Sequence, residues 1–259
     1  MRYGSCSFIR DRHFVHIRGY HVNEVWSKAD LHIHSNHSDG LAKIPEIMEY
    51  VATKTDISVI AITDHNTIEG ALFAQSLQEM YGIEVVVGEE ISSKSGHIIG
   101  LWLEEAIPPN LSAAETVSRI NEQGGIAVIA HPFANRAFGP FGLESVGQAI
   151  YDVAFHALEV YNSSPYLIYA NKLAAKAFAG GQGVAATGGS DAHVLKAVGK
   201  GYTLFRGKTA ADLRLSIENL ETRAEAARGG LSVALRYAFR YPQIRRLQAW
   251  NWERCKATK

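Results

Sequence analysis

The sequence predicts a closed α/β barrel. Short β-branched runs alternate with segments of helical apolar spacing along most of the chain. About seven or eight such units fit within one domain, which favours a closed barrel over an open doubly wound sheet. No Gly-rich GxGxxG or Walker loop follows the first strand, which argues against dinucleotide and P-loop folds.

The elements follow in order. His32 and His34 alternate on a first strand. Ile57 to Ile62 is a β-branched run and reads as a buried strand. Thr67 to Tyr81 carries apolar residues at Ile68, Ala71, Leu72, Leu77 and Met80, a helix that Gly82 stops. Ile83 to Val87 and His97 to Leu103 read as strands. Ser112 and Glu115 form a capping box for a helix ending at Gly124-Gly125. Strands follow at Ile126 to Ala130, Ala157 to Tyr161, Val184 to Thr187 and Tyr202 to Phe205, with a helix to about Phe178 between the second and third. Thr209 caps a last helix through Leu220. Parallel strands with helices outside are expected.

The 259 residues are 47% hydrophobic and 20% charged, ordinary for a globular protein. Net charge is zero but unevenly spread: residues 223–259 carry +7 and the rest −7. The organisation expected is an N-terminal extension (1–27), a barrel (28–222) and a basic helical tail (223–259). Only Cys6 and Cys255 are present, so neither a disulfide framework nor a Cys-rich zinc site is expected. A cytoplasmic location fits, with no signal peptide and no apolar run long enough to span a bilayer.

Six of the eleven histidines stand at or beside predicted strand ends: His32, His34, His65, His97, His131 and His193. Asp30, Asp39, Asp64, Glu90 and Asp191 accompany them. In a parallel barrel these positions converge on one mouth. Unpaired buried charges in that density would be costly, and divalent cations would compensate them together. Mixed His and carboxylate ligation suits zinc, manganese or iron, and two to three ions match the number of ligands. Such ions would generate hydroxide near neutral pH and neutralise charge on a transferring phosphoryl group. No GxSxG nucleophile motif competes.

Five segments, Asp30-Leu31-His32-Ile33-His34-Ser35-Asn36-His37-Ser38-Asp39-Gly40, Thr63-Asp64-His65, Gly88-Glu89-Glu90-Ile91-Ser92, Ala130-His131-Pro132 and Ser190-Asp191-Ala192-His193, occur in this order. Together they resemble the motifs of the PHP (polymerase and histidinol phosphatase) family. Gly199 to Leu220 resembles the PHP-associated segment of small stand-alone members. The resemblance implies a distorted (β/α)7 barrel with a helical C-terminal tail. It also implies a trinuclear site in which a metal-bridging hydroxide hydrolyses a phosphate mono- or diester, such as a nucleotide or sugar phosphate. By the same resemblance, His32, His34, Glu90 and Asp191 hold one metal. Glu90 bridges to a second, held by His131 and His97, and Asp39, His65 and His193 hold the third. Glu90 and His131 stand 41 positions apart, without the large insertion of some family phosphoesterases.

Asp30 and Asp64 adjoin ligand positions and are expected to orient ligand imidazoles. Arg136, Lys43 and Asn162 are candidates for binding a small phosphorylated substrate. His37 reads as a loop residue, and His13, His16, His21 and His156 as structural. Trp250 and Trp252 read as packing aromatics. Two other functions stand beside the phosphoesterase: an amidohydrolase-like C–N hydrolase, marked by a carboxylated lysine, and a metal-stabilised module whose basic tail binds nucleic acid or a partner. No membrane partner is expected, and oligomeric state is left open.

Overall fold

The β-branched runs form strands and the amphipathic segments form helices, but strand direction is mixed. The computed structural model describes residues 25–134, 145–181 and 183–227, with 240, 242–244, 246, 247 and 249 of the tail. Nine strands are described: β1 (Trp26–Ile33), β2 (Val59–Ile62), β3 (Glu84–Ser93), β4 (Gly96–Leu101), β5 (Ile126–Ile129), β6 (Ala157–Asn162), β7 (Ala185–Gly189), β8 (Gly201–Arg206) and β9 (Arg223–Ala226). The α-helices are α1 (Ile44–Lys54), α2 (Glu69–Ser76), α3 (Gln78–Tyr81), α4 (Ala113–Glu122), α5 (Ile168–Ala179) and α6 (Ala210–Glu218).

The sheet order is β7-β6-β5-β4-β3-β2-β1-β8-β9. β1, β2 and β3 are parallel, as are β5, β6 and β7. β4 runs antiparallel to β3 and β5, β8 antiparallel to β1, and β9 antiparallel to β8. This corrects the expectation of parallel strands throughout. Only Lys94 and Ser95 separate β3 from β4. A link that short closes a hairpin, whereas a parallel crossover needs a dozen or more residues.

The sheet curls until β7 meets β1 and β8, giving a distorted, nearly closed barrel. The Asp191 N–H donates to the His32 carbonyl at 2.8 Å and the His34 N–H to the Ala192 carbonyl at 3.0 Å. Across the same seam, Gly188 N–H donates to Thr203 Oγ1 at 2.9 Å. Small residues allow this approach. A Cβ on Gly189 would lie 2.5 Å from His32 Cβ and 2.7 Å from Glu159 Oε1.

Two apolar clusters hold the helices on the sheet. One joins Ile60, Ile62, Val85 and Ile98 to Ile47 and Met48 of α1, Ala71 of α2, and Val117 and Ile120 of α4. The other packs Leu31, Val59, Val86 and Phe205 against Leu213 and Ile217 of α6. The predicted Ser112–Glu115 capping box is present, and the predicted cap Thr209 forms a second box with Asp212.

Other boundaries differ from expectation. α1 was not expected, although Ile44, Ile47, Met48 and Val51 recur at helical spacing and are buried. The segment from Thr67 to Tyr81 breaks at Leu77 into α2 and α3, and Gly82 ends it in the left-handed conformation (φ 66°). The barrel begins at Trp26, which pairs with Arg206. Residues 223–226 are strand β9 and not helical tail. Arg223 lies 4.9 Å from the Trp26 ring, beside Arg206 of β8 at 5.5 Å, so the start of the basic segment is held to the barrel through the Arg223 guanidinium. The described tail residues from 240 to 249 are helical, and Ile244 joins the core. The bulk of the N-terminal extension, Cys6, Cys255, His13, His16, His21, Trp250, Trp252 and Arg136 lie outside the described residues. Among the described residues no helix is long and apolar enough to cross a membrane.

Glu89 on β3 is fully buried. Its Oε2 accepts the Ile107 N–H at 2.8 Å, and burial pushes its carboxyl up to about 8. A carboxyl raised in the fold is protonated at pH 7, so its cost grows as pH rises above its unfolded value of 4.5 and levels off near 8. Glu89→Gln keeps an acceptor for Ile107 without a titrating group. Urea unfolding from pH 5 to 8 should show the variant gaining on the wild type with rising pH, by on the order of 3 kcal/mol at pH 7. A pH-independent difference would sink this assignment. Gly189→Ala should lower the melting temperature, with a cost of about 1–3 kcal/mol or more for overpacking a fixed site.

Candidate metal centre

Strand direction explains how distant residues meet. His32 ends β1, and His34 and Asp39 follow in the loop to α1. His65 follows β2, His131 follows β5, and Asp191 and His193 follow β7. β4 runs the other way, so His97 at its start reaches the same mouth as residues at the ends of the parallel strands. Hairpin pairing sets Ser92 opposite His97, and an isolated bridge sets His65 beside Glu90.

Glu90 is the hub. Its Oε2 lies 3.4 Å from His32 Nε2, 3.2 Å from His34 Nε2 and 3.3 Å from His65 Nδ1. Its Oε1 lies 3.0 Å from both His97 Nδ1 and His131 Nε2. The five rings form a closed circle around it, with successive centroids from 4.7 to 5.7 Å apart. His193 stacks on His34 at 4.3 Å.

The potential ligand atoms fall into overlapping groupings. His32 Nε2 and His34 Nε2 are 3.1 Å apart, and Asp191 Oδ1 lies 3.5 and 3.3 Å from them. Glu90 Oε2 approaches the same two nitrogens, at 3.4 and 3.2 Å. The second grouping is Glu90 with His97 and His131 on its other oxygen. In the third, Asp39 Oδ2 lies 2.9 Å from His193 Nε2 and 3.7 Å from His65 Nε2. His34 Nδ1 stands 3.3 Å from Asp39 Oδ1. All nine residues proposed from the sequence as metal ligands are thus brought together.

The electrostatics point the same way. Burial raises the carboxyl groups of Asp39, Glu90 and Asp191, but neighbouring imidazoles outweigh it and hold all three ionised. Burial lowers His32 and His34, but Asp191, Glu159 and Glu90 around the first, and Asp39, Asp191 and Glu90 around the second, raise both well above the usual imidazole range. Burial also opposes His193, which Asp39 raises. Burial dominates at His65 and lowers it to about 4. Nδ1 of His34, His65 and His131 is buried without a hydrogen-bond partner. Buried imidazoles packed around ionised carboxylates are, once their protons are displaced, a donor set for divalent cations.

The supporting residues differ from expectation. Asp30 touches no imidazole. Its Oδ1 accepts the Ser190 N–H at 2.9 Å and its Oδ2 the Gly199 N–H at 2.7 Å, tying the β7 loop to β1. Burial pushes it up to about 6. Asp64 likewise faces away from the rings. It accepts the Ser35 N–H at 2.8 Å, the Ser35 hydroxyl at 2.6 Å and the Ser38 hydroxyl at 2.5 Å, which fixes the loop carrying Asp39.

Asn162, expected to contact substrate, is buried. Its amide donates to Glu159 Oε2 at 3.0 Å and Asp191 Oδ2 at 3.2 Å, so it supports the ligands instead. Lys43 is exposed at the N-terminus of α1. Glu159 was missed by sequence reasoning. It is a buried carboxylate on β6, 2.9 Å from His32 Nδ1. Its one signal is an acid between Leu158 and Val160 in an otherwise apolar run. Among the described residues no lysine is buried, so none is placed to bridge cations as a carbamate.

The backbone is strained at two ligands: His131 has φ 24° and Asp191 φ 51°. Such conformations cluster at functional sites.

Comparison with known proteins bears on the family and the fold. A 147-residue segment is 42% identical to an uncharacterised protein of Methanocaldococcus jannaschii, covering 52% of this chain and 82% of that one. A shorter segment of 85 residues is 36% identical to a phosphoribosyl 1,2-cyclic phosphate 1,2-diphosphodiesterase of Eggerthella lenta, covering 30% of this chain and 32% of the relative. A two-domain protein of Bacteroides vulgatus, described as containing a predicted PHP-like metal-dependent phosphoesterase, shares the fold. Its TM-score is 0.63 at 18% identity, over 79% of this chain and 66% of that one. The PHP domain model matches residues 30–179 and the PHP-associated model residues 169–222. With its fold and both of its segments accounted for, the chain belongs to the PHP family.

Proposed function

We propose that this metal-dependent phosphoesterase hydrolyses a phosphate mono- or diester at a site for three divalent cations. The observation that carries the reading is Glu90, whose two oxygens face different sets of imidazoles. A carboxylate so placed would hold two cations, one on each oxygen, and Asp39, His65 and His193 would hold a third. Bound there, divalent cations would supply Lewis acidity that lowers the pKa of water and neutralises phosphoryl charge.

The chain's own residues define access and orientation. His32 and His34 have no exposed side-chain surface, whereas the side chains of His65, His97 and His193 are 13%, 11% and 8% exposed. The latter three form the rim, so a substrate phosphoryl group enters from their side and His32 and His34 form the floor. Asn162 holds one oxygen of Asp191, leaving the other directed at His32 and His34. Asp64 and the two serines hold the loop of Asp39. A nucleotide or sugar phosphate fits this reaction class, with zinc, manganese or iron as the cation.

Chelator-treated protein should lose turnover of aryl phosphate mono- and diesters and regain it when zinc or manganese is restored. Fully loaded protein inactive on a panel that also contains nucleotides and sugar phosphates would overturn the proposed reaction. Asp191→Ala should remove both bound metal and activity. Retention of full metal content and turnover would disprove the ligand assignment. Metal loading should also weaken as pH falls, because ligand imidazoles must be neutral to bind a cation; equilibrium dialysis at pH 5 and pH 7.5 measures this.

A further inference from the structure

We propose that Glu159 is a positioning residue that sets the tautomer of His32 and fixes the backbone of His131 for cation binding. This rests on the reading of the histidine and carboxylate cluster as a cation site. Three donors converge on the two oxygens of this buried carboxylate. His32 Nδ1 lies 2.9 Å from Oε1. The His131 N–H donates to Oε2 at 2.7 Å, and the Asn162 amide donates to the same oxygen at 3.0 Å.

A carboxylate can only accept, so Nδ1 of His32 carries the proton. In the neutral ring that binds a cation, Nε2 is then left with its lone pair, and it is Nε2 that faces His34 Nε2, Glu90 Oε2 and Asp191 Oδ1. The other contacts extend the same control. Through Asn162, Glu159 connects to Asp191, and through the His131 N–H it holds a second ligand where its backbone is strained. Gly189 leaves the space for this arrangement, since a Cβ there would run into Glu159 Oε1 and His32 Cβ together. One side chain therefore reaches three of the ligand residues without facing the cation position itself.

Glu159→Gln tests this. A carboxamide has one acceptor oxygen for three donors. If its NH2 turns to His32 Nδ1, the ring proton moves to Nε2 and blocks ligation. Zinc affinity of chelator-stripped protein, measured by competition with a chromogenic chelator, should fall about 10–100-fold, the usual effect of losing a partner of a metal-bound histidine. In the zinc-loaded wild type, imidazole 1H–15N spectra should show His32 protonated at Nδ1, and this signal should be lost in the variant.

Glu89→Gln, whose side chain on β3 bonds Ile107 and no imidazole, should change neither readout. If Glu159→Gln does not fold, Glu159→Asp retains the charge but shortens the reach, and should weaken zinc binding in the same direction. Wild-type zinc affinity in whichever variant folds, with the His32 signal unchanged, would overturn the proposal. Neither readout involves turnover, so a zinc-binding protein without phosphoesterase activity counts against the proposed reaction and not against Glu159. A wild-type chain that takes up no zinc overturns both.

Discussion

The structure depends on compensating the buried charge around Glu90. Four carboxylates, Asp39, Glu90, Glu159 and Asp191, and six imidazoles are enclosed with almost no solvent contact. Protons alone compensate them poorly. Protonating the rings balances the carboxylates, yet places cationic imidazoles with centroids about 5 Å apart. Repulsion between like charges at that separation is strong in a medium of low effective dielectric. Divalent cations concentrate the positive charge between the ligand atoms and leave the rings neutral. The same arrangement that is costly without cations is therefore well suited to holding them, and metal binding should couple to folding stability.

The departures from a regular barrel all serve this enclosure. A uniformly parallel barrel brings only strand ends to its mouth. The β3–β4 hairpin adds a strand that starts there, which delivers His97 beside Glu90. The small residues of β7 let that strand come against β1, bringing Asp191 within reach of His32 and His34. Asp30 fastens this junction from below by accepting N–H groups from the β7 loop and from Gly199 ahead of β8. Sheet closure and site assembly are one event at this seam.

The cluster of histidines and acids was legible in the sequence because each motif pairs a strand signal with a His or acid at its end. The alternation that put His32 and His34 on one face holds in the structure. Other features were less legible for identifiable reasons. An aspartate two residues before a ligand lies about 6.6 Å lower along the strand, so Asp30 sits beneath the rings and meets backbone instead. Asp64 immediately precedes His65 and projects to the opposite side, toward the Ser35 loop. Direction of β4 was missed although Lys94 and Ser95 leave room only for a hairpin. Glu159 resembles the polar half of an ordinary strand alternation until the barrel closes over it. Asn162, read as a substrate contact from its strand-end position, faces inward because Glu159 and Asp191 both accept from it.

The strained ligands show why such supports are needed. His131 at φ 24° and Asp191 at φ 51° lie where side chains other than glycine are disfavoured, each costing about 1–3 kcal/mol. A hydrogen bond to a charged group contributes about 1.5–3 kcal/mol. The His131 N–H has one to Glu159, and the His131 carbonyl accepts the Ala134 N–H at 3.0 Å. At Asp191 the N–H bonds the His32 carbonyl, while Asn162 secures the side chain. The opposing quantities are of equal size, so neither conformation needs a bound cation to persist. The backbone at both residues is thus held by the chain itself, while the charge that their side chains help enclose still calls for compensation.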